Sequence, residues 1–211
     1  MAVEETDSSP STDQTETRKW KDCKVKPVPQ SYVPDQDLHY EMWTSSTKGN
    51  ALIIGNDFIS SGGGPRPYAD KDIQNMTLLL TRLGYDFRNN AFIKSNLTKQ
   101  DMNETVNKFV DDLRESNPQS AVVYISSHGN KDEVLGNDNG SLAIPVLLEK
   151  FNGILPGKPK VIIIDACWGA DETHGTPVSS SNSGSQVIMM PHNADIFLIH
   201  ATSYGMYFSL T

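Results

Sequence analysis

The chain is expected to fold as an α/β domain around a largely parallel sheet, and three features of the sequence lead there. Val161 to Ile164 is a continuous run of β-branched residues opened by Pro159. Such a run reads as a strand covered on both faces. A second run, AVVYIS from Ala121 to Ser126, has the same character. Between the apolar runs lie segments with helical periodicity, and strands alternating with helices build parallel sheets.

Taken in order, residues 1–47 are rich in Ser, Thr, Asp, Glu, Gln and Pro and are expected to be a disordered tail. GNALIIGNDF, Gly49 to Phe58, is the first expected strand, followed by a loop containing Gly62, Gly63 and Gly64. From Ala69 to Leu83, Ile73, Met76, Leu79, Leu80 and Leu83 recur at helical spacing, and Gly84 supplies a stop. Tyr85 to Lys94 reads as a second strand. Thr98 to Glu115 reads as a helix with Met102, Val106, Phe109, Val110 and Leu113 on one face. Thr98 is its capping residue, and Asp101 places an acid near the positive end of the helix dipole. After the strand Ala121 to Ser126, Leu142 to Phe151 is expected to be a short helix. The strand Val161 to Ile164 follows. Ala170 to Gln186 is a loop by composition, and Asp195 to His200 is the last strand.

Composition narrows the function classes. The 211 residues suffice for one substantial domain. A net charge of −8 argues against nucleic acid as the main partner. No apolar run approaches a membrane span, and the start lacks the basic end and apolar core of a signal peptide. Two cysteines, Cys23 and Cys167, do not make a disulfide framework, so a reduced, cytoplasmic setting is expected. No His/Cys spacing suits zinc, and no metal or other cofactor is expected.

Chemistry concentrates at the ends of two apolar runs. Cys167 follows Val161–Ile164 by three residues, with Gly169 after it; Ser127-His128-Gly129 follows Ala121–Ser126. In parallel sheets ligands bind beyond the carboxyl ends of the strands. If both strands share one sheet, the thiol and the imidazole can meet. A thiolate is the effective nucleophile, and a neighbouring imidazole can generate it or hold it as an ion pair. A lone cysteine after a strand is more often a packing residue, and Gly129 alone reads equally well as a turn. The paired positions favour a nucleophile, Cys167, with its base, His128.

These residues resemble the caspase family of cysteine proteases. The family's signature is Gln-Ala-Cys, then Arg, Gln or Gly, then Gly. Here the segment is DACWG: Ala166, Cys167 and Gly169 agree, while Asp165 and Trp168 depart. SSHG around His128, GKPK before the cysteine strand, ADIFLIHAT from Ala194 to Thr202 and RPYADKD from Arg66 to Asp72 extend the likeness. It runs from about Lys48 to the end of the chain. The implied fold is a three-layer sandwich, a mostly parallel sheet flanked by helices. Residues 48–169 would be a large-subunit-like core, 170–191 an inter-subunit-like linker with processing at Asp171, and 192–211 the first part of a small subunit. On that comparison the chain would be C-terminally truncated, leaving Asp195 to His200 at a bare sheet edge.

The resemblance implies thiolate attack on a peptide carbonyl, with His128 shuttling the proton and the amides of Gly129 and Cys167 holding the oxyanion. It also implies a role in proteolysis and apoptosis, a zymogen form, and protein or peptide substrates. Caspases grip a substrate aspartate with two arginines and a glutamine. Arg66 matches the first arginine, Asp165 stands at the glutamine position, and Leu210 at the second arginine. An acid at that place would repel aspartate, so altered specificity is expected. An aspartate there is typical of metacaspases and paracaspases, which accept arginine or lysine before the cut. The other class of function is a catalytically impaired homologue that binds and regulates a full-length caspase.

Overall fold

The computed structural model describes residues 47–60, 64–130, 132–166, 195–200 and, as backbone alone, 187–189. The expectations for the polar tail, for the loop 170–186, for Cys167 and for Leu210 therefore lie outside the described residues.

Strand β1, Gly49–Gly55, is buried throughout and opens the sheet. Helix α1, Ala69–Leu83, spans the residues its periodicity marks, and Gly84 ends it in the left-handed conformation at φ 89°. The expected strand Tyr85 to Lys94 is instead two short strands, β2 at Tyr85–Asp86 and β3 at Ile93–Ser95. Arg88, Asn89 and Asn90 all have positive φ, which no strand accommodates, so the segment turns between them. Helix α2, Lys99–Ser116, starts at its expected cap: the Thr98 hydroxyl accepts from the Asp101 amide at 3.1 Å. Strand β4 is Ala121–Ser126.

A hairpin that the sequence did not announce follows, β5 at Glu133–Leu135 and β6 at Ser141–Ala143. It takes Leu142 and Ala143 from the expected helix, so α3 is only Ile144–Glu149, with proline in its first turn. Strand β7, Lys160–Asp165, β8, Val187–Met189, and β9, Ile196–His200, complete the described elements.

The sheet order is β2-β1-β4-β7-β9-β8, with β3 also pairing β1. All pairs except β8–β9 are parallel. The expected bare edge at Asp195 to His200 is thus corrected. Val187, Ile188 and Met189, inside the expected linker, pair antiparallel with Ile199, Leu198 and Phe197.

Alternation along the strands builds two cores. Leu52, Ile54, Val123, Ile125, Ile162 and Ile164 face α2 and α3 and pack with Met102, Phe109, Leu113 and Leu147. Ala51, Ile53, Val122 and Tyr124 face α1 and pack with Ile73 and Leu80. Each fully buried aliphatic side chain contributes about 1.5–3 kcal/mol relative to exposure. Helices on both faces leave the carboxyl ends of the strands as the place where side chains can converge without covering structure.

Candidate active site

Three parallel strands end level with one another. Gly55 pairs Ser126, and Ser126 pairs Asp165. Side chains from β1, β4 and β7 and from the segments just after them therefore share one edge.

His128 lies two residues past the end of β4. Its Nε2 is 2.7 Å from the carbonyl oxygen of Gly64, in the loop between β1 and α1. Its ring packs against Phe58, centroids 4.5 Å apart and tilted by 49°. Phe58 is fully buried and holds φ at 58°, a conformation bulky residues rarely adopt. The Asn137 side chain accepts from the Phe58 amide at 3.0 Å and helps keep it there. A carbonyl oxygen can only accept, so the Gly64 bond requires the proton on Nε2. In the neutral ring that leaves the lone pair on Nδ1.

Gly129 forms a bridge with Val134 in the hairpin. A side chain there would run into the Glu133 carbonyl and stand 3.2 Å from the Ala166 Cβ. Glycine is therefore required by close approach, and the backbone at residue 129 lies beside the residue before Cys167.

Arg66 and Asp165 come together, as the sequence comparison led one to expect. The guanidinium donates to the Asn56 carbonyl at 3.1 Å and to the Ser126 hydroxyl at 2.8 Å. Its Nη2 stands 3.8 Å from Asp165 Oδ2, with both side chains mostly buried. That carboxylate oxygen accepts from the Ser126 and Tyr124 hydroxyls, each at 3.0 Å. Burial and then the Asp165 charge push the Tyr124 phenol far above its ordinary value, so it stays a donor. Asp72, on the first turn of α1, belongs to the same field. Its carboxyl is raised by burial and by Asp165, against a lowering by Arg66. Two carboxylates around one guanidinium leave the cluster net negative.

Sequence reasoning missed the Gly64 carbonyl, Phe58, Asp72 and Asn56. The first is a backbone group with no side-chain signature. Asp72 stood within RPYADKD with no role attached. Among the described residues, no group of three or more His, Cys, Asp or Glu is placed to hold a metal ion. None of the described helices is long and apolar enough to cross a membrane.

Residues 48–208 match the family model of the caspase domain. The chain belongs to the caspase family. It is 30% identical over 158 residues to "Cell death protein 3" of Caenorhabditis remanei, covering 72% of this chain and 29% of that protein. It is 31% identical over 166 residues to "Caspase-1-B" of Xenopus laevis, covering 71% and 42%. Likewise it is 31% identical over 166 residues to "Caspase-3" of Mus musculus, covering 75% and 58%. The caspase-family chain thus spans 29% to 58% of the length of these curated relatives. A solved structure, "structure of pro-sf-caspase-1", superposes with a TM-score of 0.62 at 22% identity, covering 89% of this chain and 71% of that one. That likeness establishes the caspase fold: a mostly parallel sheet between helices.

Proposed function

We propose that this chain is a caspase-like cysteine endopeptidase acting on proteins or peptides, with Cys167 as nucleophile and His128 as base. The anchoring of His128 Nε2 on the Gly64 carbonyl carries this reading. It fixes the tautomer and turns Nδ1 into the nitrogen that takes the thiol proton. The register of the two strands supports this pairing. Ser126 pairs Asp165, and the Ser127 amide still donates to the Asp165 carbonyl at 3.0 Å. His128 lies two residues past Ser126, and Cys167 two past Asp165. Thiolate attack on the scissile carbonyl would be followed by proton delivery from the imidazolium to the leaving amine. The amides of Gly129 and Cys167 are the candidate oxyanion donors. A thiolate nucleophile suits a reducing compartment such as the cytoplasm.

Specificity follows from charge. Arg66 is engaged by the Asn56 carbonyl, Ser126 and Asp165, and Asp72 adds a second acid. A substrate carboxylate entering here would meet like charge with few donors to spare. On this reading the Arg66 cluster disfavours aspartate and suits a neutral or basic side chain.

The test is alkylation of Cys167 by iodoacetamide across pH, read by peptide mapping, with His128→Ala alongside. Cys167 is expected to react faster than a model thiol near neutral pH, and the His128 variant about tenfold or more slowly than the parent. An inert Cys167, or one indifferent to His128, overturns the dyad. A peptide panel then reads specificity. Aspartyl substrates should be the poorest, and Asp165→Gln should improve them; efficient aspartyl cleavage by the unmodified chain overturns the charge argument.

A further inference from the structure

Asn56, the residue after β1, is fully buried, yet no part of the chemistry above uses its side chain. Its carboxamide nitrogen donates to the Leu135 carbonyl at 3.0 Å and lies 3.3 Å from the Ser127 hydroxyl and 3.5 Å from the Met102 sulfur. Its carboxamide oxygen accepts from the Leu97 amide at 2.9 Å. Its own backbone takes part as well. The amide donates to the Ser126 carbonyl at 2.9 Å, and the carbonyl accepts from Arg66 at 3.1 Å. One residue thus joins the ends of β1 and β4, the entry to α2, the hairpin and the loop arginine.

Two of those contacts bracket His128. Ser127 precedes it, and its hydroxyl also donates to the Leu135 carbonyl. The Leu135 amide in turn donates to the His128 carbonyl at 2.8 Å. The imidazole can face a thiol only if this short segment keeps its path, because the ring's other restraints, Phe58 and Gly64, belong to a different loop. The Asn56 carboxamide ties the two loops into one frame. An apolar side chain could fill its volume but would strand the Leu97 amide and leave the Leu135 carbonyl held by Ser127 alone.

We propose that Asn56 is a positioning residue, setting the path of Ser127–Gly129 so that the His128 ring is held at the angle needed to accept the thiol proton. It rests on the dyad proposed above. Asn56 touches neither substrate nor reacting atoms and acts through His128.

The strand carries its own control. Asn50 is the same residue type at the other end of β1, equally buried, and bonded through its carboxamide to Asp112 at 2.7 Å and Ser116 at 3.0 Å. The experiment compares Asn56→Ala, Ser127→Ala and Asn50→Ala in the full chain. Two quantities are read: the thermal unfolding midpoint, and the pH midpoint of Cys167 alkylation. Asn56→Ala and Asn50→Ala should both lower the unfolding midpoint. Of these two, only Asn56→Ala should raise the alkylation midpoint, by about one pH unit toward an ordinary thiol. Ser127→Ala, a gentler change, should raise it by less and keeps the question answerable if Asn56→Ala does not fold. An alkylation midpoint unmoved in both Asn56→Ala and Ser127→Ala, while His128→Ala moves it, would make Asn56 merely structural and overturn the proposal. If His128→Ala moves nothing either, the dyad itself is wrong and the positioning role falls with it.

Discussion

The two ends of the sheet are built from the same residue types and do different things. At the amino end, polar groups are consumed by the fold. Asn50 bonds Asp112 and Ser116, the Ser120 hydroxyl donates to the Lys48 carbonyl at 2.8 Å, and the buried Lys160 ammonium donates to the carbonyls of Leu155 and Lys158, each at 3.1 Å. At the carboxyl end the polar groups are stacked in sequence. Asn56 and Ser127 brace His128, while Arg66, Ser126, Tyr124, Asp165 and Asp72 form a field with more acid than base. Parallel strands make this division possible. Every crossover returns to the amino edge, so the carboxyl edge gathers the loops that carry side chains to one place. The amino end serves stability, and the carboxyl end is where the proposed chemistry would sit.

The largest effects that could break this division come from a matched pair of glycines. A side chain at Gly49 would run into the Ser120 carbonyl, and one at Gly129 into the Glu133 carbonyl. Both obstacles are backbone and cannot swing away. Gly49→Ala and Gly129→Ala should each destabilise by about 1–3 kcal/mol, measured by denaturant unfolding. Gly129→Ala should also slow Cys167 alkylation, because it pushes the hairpin from the His128 segment. Gly49→Ala should not. A slowed thiol in Gly49→Ala alone would show that the two ends are coupled through the sheet.

A smaller effect sharpens the amino end. Burial lowers the Lys160 ammonium below its ordinary value, opposed by the Asp195 charge. For a base whose folded value is depressed, the unfolded chain binds more protons between the folded value and about 10.5. Stability should therefore rise with pH across that window. Lys160→Met removes the titrating group, so the slope contributed by Lys160 should vanish. At neutral pH the variant should lie within about 1 kcal/mol of the parent, since relief from burying a charge offsets two lost donors. Unfolding measured from pH 7 to about 9.5 avoids the ionisation of exposed tyrosines near 10. An unchanged slope in the variant would mean that Lys160 does not bear the burial cost assigned to it.

What could be read in the sequence divides along similar lines. Helix α1 and strand β4 occupy the residues their patterns mark, because long apolar periodicity is a property of side chains. The hairpin of β5 and β6, and strand β8, are three residues each, too short to show a period. The break between β2 and β3 depends on left-handed backbone at Arg88, Asn89 and Asn90, which asparagine permits but does not dictate. At the site, the meeting of Arg66 with Asp165 was legible because both are charged and stand in recognisable segments. The Gly64 carbonyl was not, since every residue has one. Asn56 hid in an apolar strand motif, where its neighbours drew attention to packing.

The smallest expected effects belong to two acids near the carboxyl end that titrate in opposite directions. The Asp72 carboxyl is raised above 3.8 by burial and by Asp165, partly opposed by Arg66. An acid with a raised folded value contributes stability below its unfolded value and loses it as pH rises through the folded one. At neutral pH, ionised Asp72 is therefore a net cost, softened by its place in the first turn of α1, where the dipole favours negative charge. Asp138 is the reverse. Its carboxylate accepts from the Lys99 amide at 2.9 Å and the Gly140 amide at 3.2 Å, which lowers it below 3.8. Its contribution is present above that value and is lost as pH falls. Asp72→Asn should thus raise the unfolding midpoint at pH 7, with the gain closing as pH drops below about 3.8. Asp138→Asn should lower the midpoint slightly at pH 7, since the amide oxygen still accepts from Lys99 but without charge. If Asp72→Asn instead destabilises at neutral pH, the acid is stabilising after all. The negative field beside Arg66 would then be a feature of the fold rather than a cost carried for the site.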